Sequence, residues 1–259
     1  RWHPGDKEAA KIEIEAGGDS VAPGTERVVL DKATSISFTS DGLQMAFVSG
    51  GDVWVMDTEL KEPRQVTRTA EEERGVEFAP DGKSLVFVSD AQGQTDIWKA
   101  TRLDDKKYWW ENAQFTLTRV TNDADAESRI HFTGDGKRMG YLKGTDLWMA
   151  DADGQNAKRV IESWDPPSYE FSPDGKWIVY SVNDEWFNED VWLRPVDGSK
   201  PPFNLSRHPN NDGNPVWSPD GKMIAWTGRR GFEDVDIFYV HLRLEDEEQT
   251  RRERTLEKA

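Results

Sequence analysis

Cysteine is absent from the 259 residues. That removes disulfides, thiol nucleophiles and thiolate metal sites, and it leaves the redox compartment open. Histidine is scarce, with only His3, His131, His208 and His241, and no two of them have the spacing of a zinc pair. No apolar run approaches the roughly 18 residues that a membrane-spanning helix needs. Positive charge is in deficit: 33 Lys and Arg stand against 49 Asp and Glu, a net charge of -16. A field of that sign repels phosphate backbones and anionic lipid heads, so neither nucleic acid nor membrane insertion is expected. Phosphate loops are also missing, because Gly17-Gly-Asp-Ser20 and Gly50-Gly51 lack the Lys-Ser/Thr signature. Arg1-Trp2 opens no charged-then-apolar leader, and the chain is expected to be a processed product or a piece of something longer.

Aromatic residues, by contrast, are plentiful. Twelve Trp, 11 Phe and 5 Tyr are too many for a disordered acidic chain.

They recur in order. Five turns align: Phe38-Thr-Ser-Asp-Gly42, Phe78-Ala-Pro-Asp-Gly82, Phe132-Thr-Gly-Asp-Gly136, Phe171-Ser-Pro-Asp-Gly175 and Trp217-Ser-Pro-Asp-Gly221. A short apolar alternation follows each, and then an acidic-aliphatic-aromatic triplet: Asp52-Val-Trp54, Asp96-Ile-Trp98, Asp146-Leu-Trp148, Asp190-Val-Trp192 and Asp236-Ile-Phe238. The triplet aromatic returns after 44, 50, 44 and 46 residues, a period in the range of about 40–50 that marks propeller blades. Pro fixes the second turn position, Asp suits the third, and Gly takes a left-handed fourth, which makes a tight hairpin. Further short strands are expected at Gln65-Val-Thr67, Arg119-Val-Thr121, Arg159-Val-Ile161 and Asn204-Leu-Ser206.

One four-stranded sheet cannot bury both faces alone, whereas radial stacking of several can. A two-layer β-sandwich is the alternative, but it needs no fivefold recurrence of turn and triplet. The fold class expected is therefore all-β, a β-propeller of four-stranded antiparallel blades over residues 1–241. Repeats start near 35, 75, 129, 168 and 214. Residues 1–34 form a partial leading blade, with strands at 11–15 and 26–30. Unit five lacks a fourth strand, so a larger ring of six or seven blades is expected. Residues 242–259 are rich in Glu and Arg and read as a short charged helix, a connector or tail.

The units resemble the WD40-like repeats of TolB, of prolyl-oligopeptidase relatives and of Tricorn-type peptidases, over roughly residues 35–240. Ser40 and Gly134 depart from the usual Pro of the turn. The run from Phe238 into the charged tail is similar to the junction in bacterial Tricorn-like serine peptidases, where propellers precede PDZ and protease domains. That resemblance implies a non-catalytic propeller that binds or gates polypeptide and scaffolds neighbouring domains, with the catalytic machinery outside this chain. Two alternatives are a TolB-like interaction scaffold and a propeller enzyme, a lyase or lactonase with a channel metal. An extracytoplasmic setting, periplasmic or secreted, is preferred to the cytoplasm.

No catalytic, cofactor or metal residue is assigned, and no Gly-x-Ser-x-Gly elbow is present. Asp123-Ala-Asp-Ala-Glu127 alternates carboxylates as a Ca²⁺ loop would. It lacks the EF-hand glycine and closing glutamate, and it reads as a solvated acidic loop. The repeating Asp52, Asp96, Asp146, Asp190 and Asp236 are expected to serve the fold. Candidate contacts with a polypeptide or protein partner lie in the loops that lead into each first strand: Arg74, Arg129, Trp164, Tyr169, His208 and Asn214. Trp109 and Trp110, in an insertion of unit two, are candidate anchors for a neighbouring domain or, equally, covers for the edge of their own blade.

Overall fold

The turn glycines come first in the physical order. Gly42, Gly82, Gly136, Gly175 and Gly221 all have φ between 66 and 70°, the left-handed region where a Cβ is costly. Each donates its N–H to the carbonyl three residues earlier, at 2.8–2.9 Å. The turn Asp accepts the N–H two residues on, as Asp41 does from Leu43 at 3.0 Å and Asp81 from Lys83 at 2.9 Å. Every expected hairpin is present.

The computed structural model describes residues 30–91, 93–122, 124–231, 234–248 and 252–253. Residues 31–259 form one unit and 1–30 a second. The expected strand at 11–15, nearly all of that at 26–30, and Asp123 lie outside the described residues. Within the larger unit five antiparallel sheets follow one another. The first is β1 (Ser35–Phe38), β2 (Gln44–Ser49), β3 (Asp52–Asp57) and β4 (Arg64–Gln65). The second is β5 (Glu73–Phe78), β6 (Ser84–Ser89), β7 (Asp96–Arg102) and β8 (Phe115–Arg119). The third is β9 (Glu127–Phe132), β10 (Arg138–Lys143), β11 (Asp146–Asp151) and β12 (Lys158–Ile161). The fourth is β13 (Ser168–Phe171), β14 (Trp177–Asn183), β15 (Glu189–Pro195) and β16 (Phe203–Asn204). The fifth has three strands, β17 (Asp212–Trp217), β18 (Met223–Arg229) and β19 (Val235–His241).

First strands of successive sheets lie together, β1 with β5, β5 with β9, β9 with β13 and β13 with β17. They therefore line the axis, and the fourth strands form the rim. The core sits between the sheets. Val53 and Val55 meet Val76, Phe78 and Leu85; Val88 and Ile97 meet Ile130, Phe132 and Met139; Leu147 and Met149 meet Tyr169, Phe171 and Ile178. Each such side chain gains about 1.5–3 kcal/mol by leaving water. Val191 packs with Ile224 and Trp226 in the last joint. The five described sheets do not close into a ring.

The repeating aspartates do serve the fold in four units. Asp52, Asp96, Asp146 and Asp190 accept from Gln65, Arg119, Arg159 and Asn204 of the fourth strands, at 2.9, 2.5, 3.1 and 2.8 Å. Among the described residues Asp236 has no fourth strand beside it.

Three fourth strands differ from expectation, ending at Gln65, Arg119 and Asn204 rather than two residues later. The reason is local. The N–H groups of Val66 and Thr67 both point at the Val53 carbonyl, those of Val120 and Thr121 at Ile97, and those of Leu205 and Ser206 at Val191. Two donors on one acceptor stop the ladder. The hydroxyls of Thr67, Thr121 and Ser206 then accept the N–H groups of Val53, Ile97 and Val191 at 2.8, 2.8 and 3.1 Å.

The charged tail is helical over α1 (Leu244–Glu248). Its Asp246 pairs with Lys222 of the fifth turn at 3.2 Å.

Candidate functional site

Antiparallel order puts the loops joining second to third strands, and those leading from fourth strands into the next sheet, at the same end of every blade. Buried acids hold this face in shape. Glu73 accepts hydroxyl protons from Thr67, Thr69 and Ser89 at 2.8, 3.1 and 3.0 Å. Burial pushes its carboxyl above the usual range, and the three hydroxyls work against that shift. Asp212, equally buried, takes both Arg230 NH groups at 2.8 and 3.1 Å. Glu127 is also buried at the start of β9, which corrects its place in a solvated acidic loop: it opens a first strand, as Glu73 and Asp212 do.

Arg74, Arg129 and Asn214 come to this face through bulges in β5, β9 and β17. The residues taking a left-handed backbone there are Gly75, Arg129 and Asn214, with φ of 60, 47 and 52°. Such bulges re-aim side chains. Arg129 reaches the Pro167 carbonyl at 3.1 Å, Asn214 reaches Thr227 Oγ1 at 3.1 Å, and Arg74 pairs with Glu72 at 2.6 Å. His208 is half-buried, and its Nδ1 accepts the Asn210 N–H at 3.1 Å.

Two candidates are corrected. Tyr169 is buried in β13 between sheets three and four, because it alternates in register with Phe171. Its hydroxyl donates to the Arg129 carbonyl at 2.5 Å, and burial lifts the phenol well above its ordinary pKa. Trp109 is fully buried on the opposite face and offers nothing to a partner. Its N–H donates to Gln44 Oε1 at 2.7 Å and its Nε1 to the Gly82 carbonyl at 2.8 Å, so the ring plugs the joint between sheets one and two. Trp110 stays part-exposed, stacked with Tyr108 at 6.3 Å between centroids.

Three exposed aromatics gather on the loop face. Trp164 is 53% exposed, Trp186 79% and Phe187 70%. Trp164 meets Phe187 edge to face at 5.1 Å, and its Nε1 donates to the Asn183 carbonyl at 3.2 Å. Phe187 has φ of 61° at the tip of the β14–β15 hairpin, a strained conformation for a bulky residue. On one side of this ridge lies a cleft of about 430 Å³ lined by Asp146, Arg159, Glu162 and Trp164. On the other is a groove of about 580 Å³, walled by the hairpin tip, Asn210, Asn211 and Arg229. Trp186 and Phe187 were not among the sequence candidates. Two adjacent large aromatics inside the polar turn Asn183-Asp-Glu-Trp-Phe-Asn188 were the available signal.

The axis carries a separate polar row. Glu77 Oε2 lies 2.8 Å from His131 Nδ1, and Oε1 accepts the Phe132 N–H at 2.8 Å. Glu170 accepts the Trp217 N–H at 2.6 Å, and Ser37 Oγ accepts that of Phe78 at 3.0 Å. Burial disfavours the charged imidazole of His131, but the hydrogen bond and charge of Glu77 outweigh it and raise the pKa. Burial raises Glu170 as well. These donor atoms suit sheet-to-sheet lacing and do not fit a metal, since each named oxygen is already engaged. Among the described residues no three His, Asp or Glu converge.

No family model matches the chain. The putative TolB of Agrobacterium tumefaciens superimposes with a TM-score of 0.58 at 20% identity, over 80% of this chain and 76% of that one. Tricorn protease gives 0.62 at 14% identity, over 81% of this chain and 21% of that one. The fold is that of the TolB and Tricorn propellers. An oligogalacturonate lyase in complex with manganese also superimposes, with a TM-score of 0.62 at 12% identity, over 79% of this chain and 60% of that one. In sequence, dipeptidyl-peptidase 5 of Aspergillus oryzae is 30% identical over 107 residues, which is 32% of this chain and 15% of that protein. The chain thus spans a small part of the curated relatives it matches. No helix among the described residues is long and apolar enough to cross a membrane.

Proposed function

We propose that this chain is a non-catalytic propeller module that binds or gates polypeptide at its loop face and holds neighbouring domains of a Tricorn-like peptidase. The observation that carries the proposal is the ridge of Trp164, Trp186 and Phe187, exposed at the end of the blades where Arg74, Arg129 and Asn214 also project. Solvent-exposed aromatic side chains of this size are the usual anchors of protein interfaces. An extracytoplasmic setting goes with this reading and takes its support from the likeness to TolB. The test is to titrate the full chain with unfolded protein and with peptides. Saturable binding without cleavage is expected. Peptide turnover that survives repurification overturns the non-catalytic role.

A TolB-like scaffold is the second reading, favoured by the likeness to TolB over most of both chains. Capture of one folded partner with no affinity for peptides would replace the first reading with this one. The lyase reading draws on the manganese-bound neighbour. Manganese uptake by the full chain, lost in His131→Ala, would revive it against the engaged donors of the axial row.

A further inference from the structure

We infer that the Trp164–Phe187–Trp186 ridge takes a cationic side chain, the Lys or Arg of an extended polypeptide. The inference rests on the polypeptide-binding reading above and names its ligand class.

The ridge is assembled from two loops, and both are acidic. Glu162 and Asp165 flank Trp164, and Asp184 and Glu185 precede Trp186. The one guanidinium in the adjoining cleft, Arg159, is held by Asp146 and Glu162, each at 3.1 Å. Asp165 accepts from Asn183 Nδ2 at 2.7 Å, and Asp184 Oδ1 accepts the Trp186 and Asn188 N–H groups at 2.8 and 3.0 Å. These bonds fix the two loops against each other and set negative charge beside the rings. The net charge of -16 favours a cationic ligand at longer range as well.

The chain itself shows what its aromatic rings accept. Lys143 sits over Trp148 at 4.8 Å, Arg207 over Phe203 at 4.7 Å, and Arg230 over Phe238 at 4.0 Å. Among the described residues no cation of the chain covers Trp164, Trp186 or Phe187, although these rings are exposed and stand beside carboxylates. A cation over such a face gains from the ring quadrupole, and it gains more beside a carboxylate. The left-handed Phe187 strengthens the case, because glycine would satisfy that φ without strain.

The experiment uses the full chain and three peptides of one length and backbone, bearing Lys, Gln or Glu at the variable positions. Binding is read by calorimetry at low and high salt. The Lys peptide is expected to bind at least about ten-fold more tightly than the Gln peptide, with the Glu peptide weakest and the difference shrinking in salt. Trp186→Ala and Phe187→Gly are expected to remove most of the Lys preference. Phe187→Gly is expected to melt no lower than the parent, which separates lost recognition from lost folding. Equal affinity for all three peptides, still dependent on Trp186, overturns the cationic ligand and spares the polypeptide reading. Binding of none of them overturns both.

Discussion

Glu77 reaches from the second sheet to the third, with Oε2 2.8 Å from His131 Nδ1 and Oε1 2.8 Å from the Phe132 nitrogen. One carboxylate thereby ties a backbone and an imidazole of its neighbour. Because His131 has a raised pKa in the folded chain, the folded state holds this proton more tightly than the unfolded chain does. The stability it adds is complete below the unfolded pKa of about 6.5 and is lost as pH rises through the higher folded value. Chemical denaturation of the parent and of His131→Gln from pH 6 to 9 checks this: the parent's advantage should be largest at pH 6 and shrink with rising pH.

The second sheet carries its aspartate pair in the most secluded setting. The Asp96 side chain is 1% exposed and Arg119 19%. Arg119→Met is expected to cost about 3–5 kcal/mol, because it strands a buried carboxylate. Arg159→Met, at the same repeat position but on an exposed guanidinium, is expected to leave the denaturation midpoint unchanged. Equal effects at the two sites would refute the distinction.

Ile97 and Ile237 hold the same place in the triplet, yet Ile97 is fully buried and Ile237 is 77% exposed. Ile97→Ala should destabilise by about 2–5 kcal/mol through the cavity it leaves. Ile237→Ala should stay within about 0.5 kcal/mol of the parent. Urea titration of both variants measures the contrast.

Ser40 and Gly134 occupy the Pro position of the turn, and the structure separates them. Pro80, Pro173 and Pro219 show that Pro fits there, so Ser40→Pro should add about 0.4–1 kcal/mol by restricting the unfolded chain. A Cβ at Gly134 would instead collide with the Pro173 carbonyl oxygen of the next turn. Gly134→Ala should cost at least about 1 kcal/mol. A rise in melting temperature for Gly134→Ala would contradict that close approach.

The contrast between these positions shows what could be read in advance. Turn chemistry is local, so all five hairpins and the aspartates that clasp the fourth strands followed from residue type and spacing. Gly134 read only as a departure from the usual Pro, because the atom that demands glycine there, the Pro173 carbonyl oxygen, belongs to the next blade. The fourth strands ran short because Val66 and Thr67 compete for one carbonyl, a matter of backbone path that no pattern records. Trp109 and Trp110 looked alike in the chain, but only the first has Gln44 and Gly82 to receive it. The ridge was half legible: Trp164 stood in a loop already under suspicion, whereas Trp186 and Phe187 sat in a hairpin that the repeat treats as mere connection.

The groove beneath Trp186 is shared between two blades, with Asn188 on one wall and Asn211, Arg229 and Arg230 on the other. The second of those blades is the one whose outermost strand, β19, has no companion among the described residues. A guest lying there would bridge the last two blades of the row, so occupancy and the rigidity of that joint would rise together.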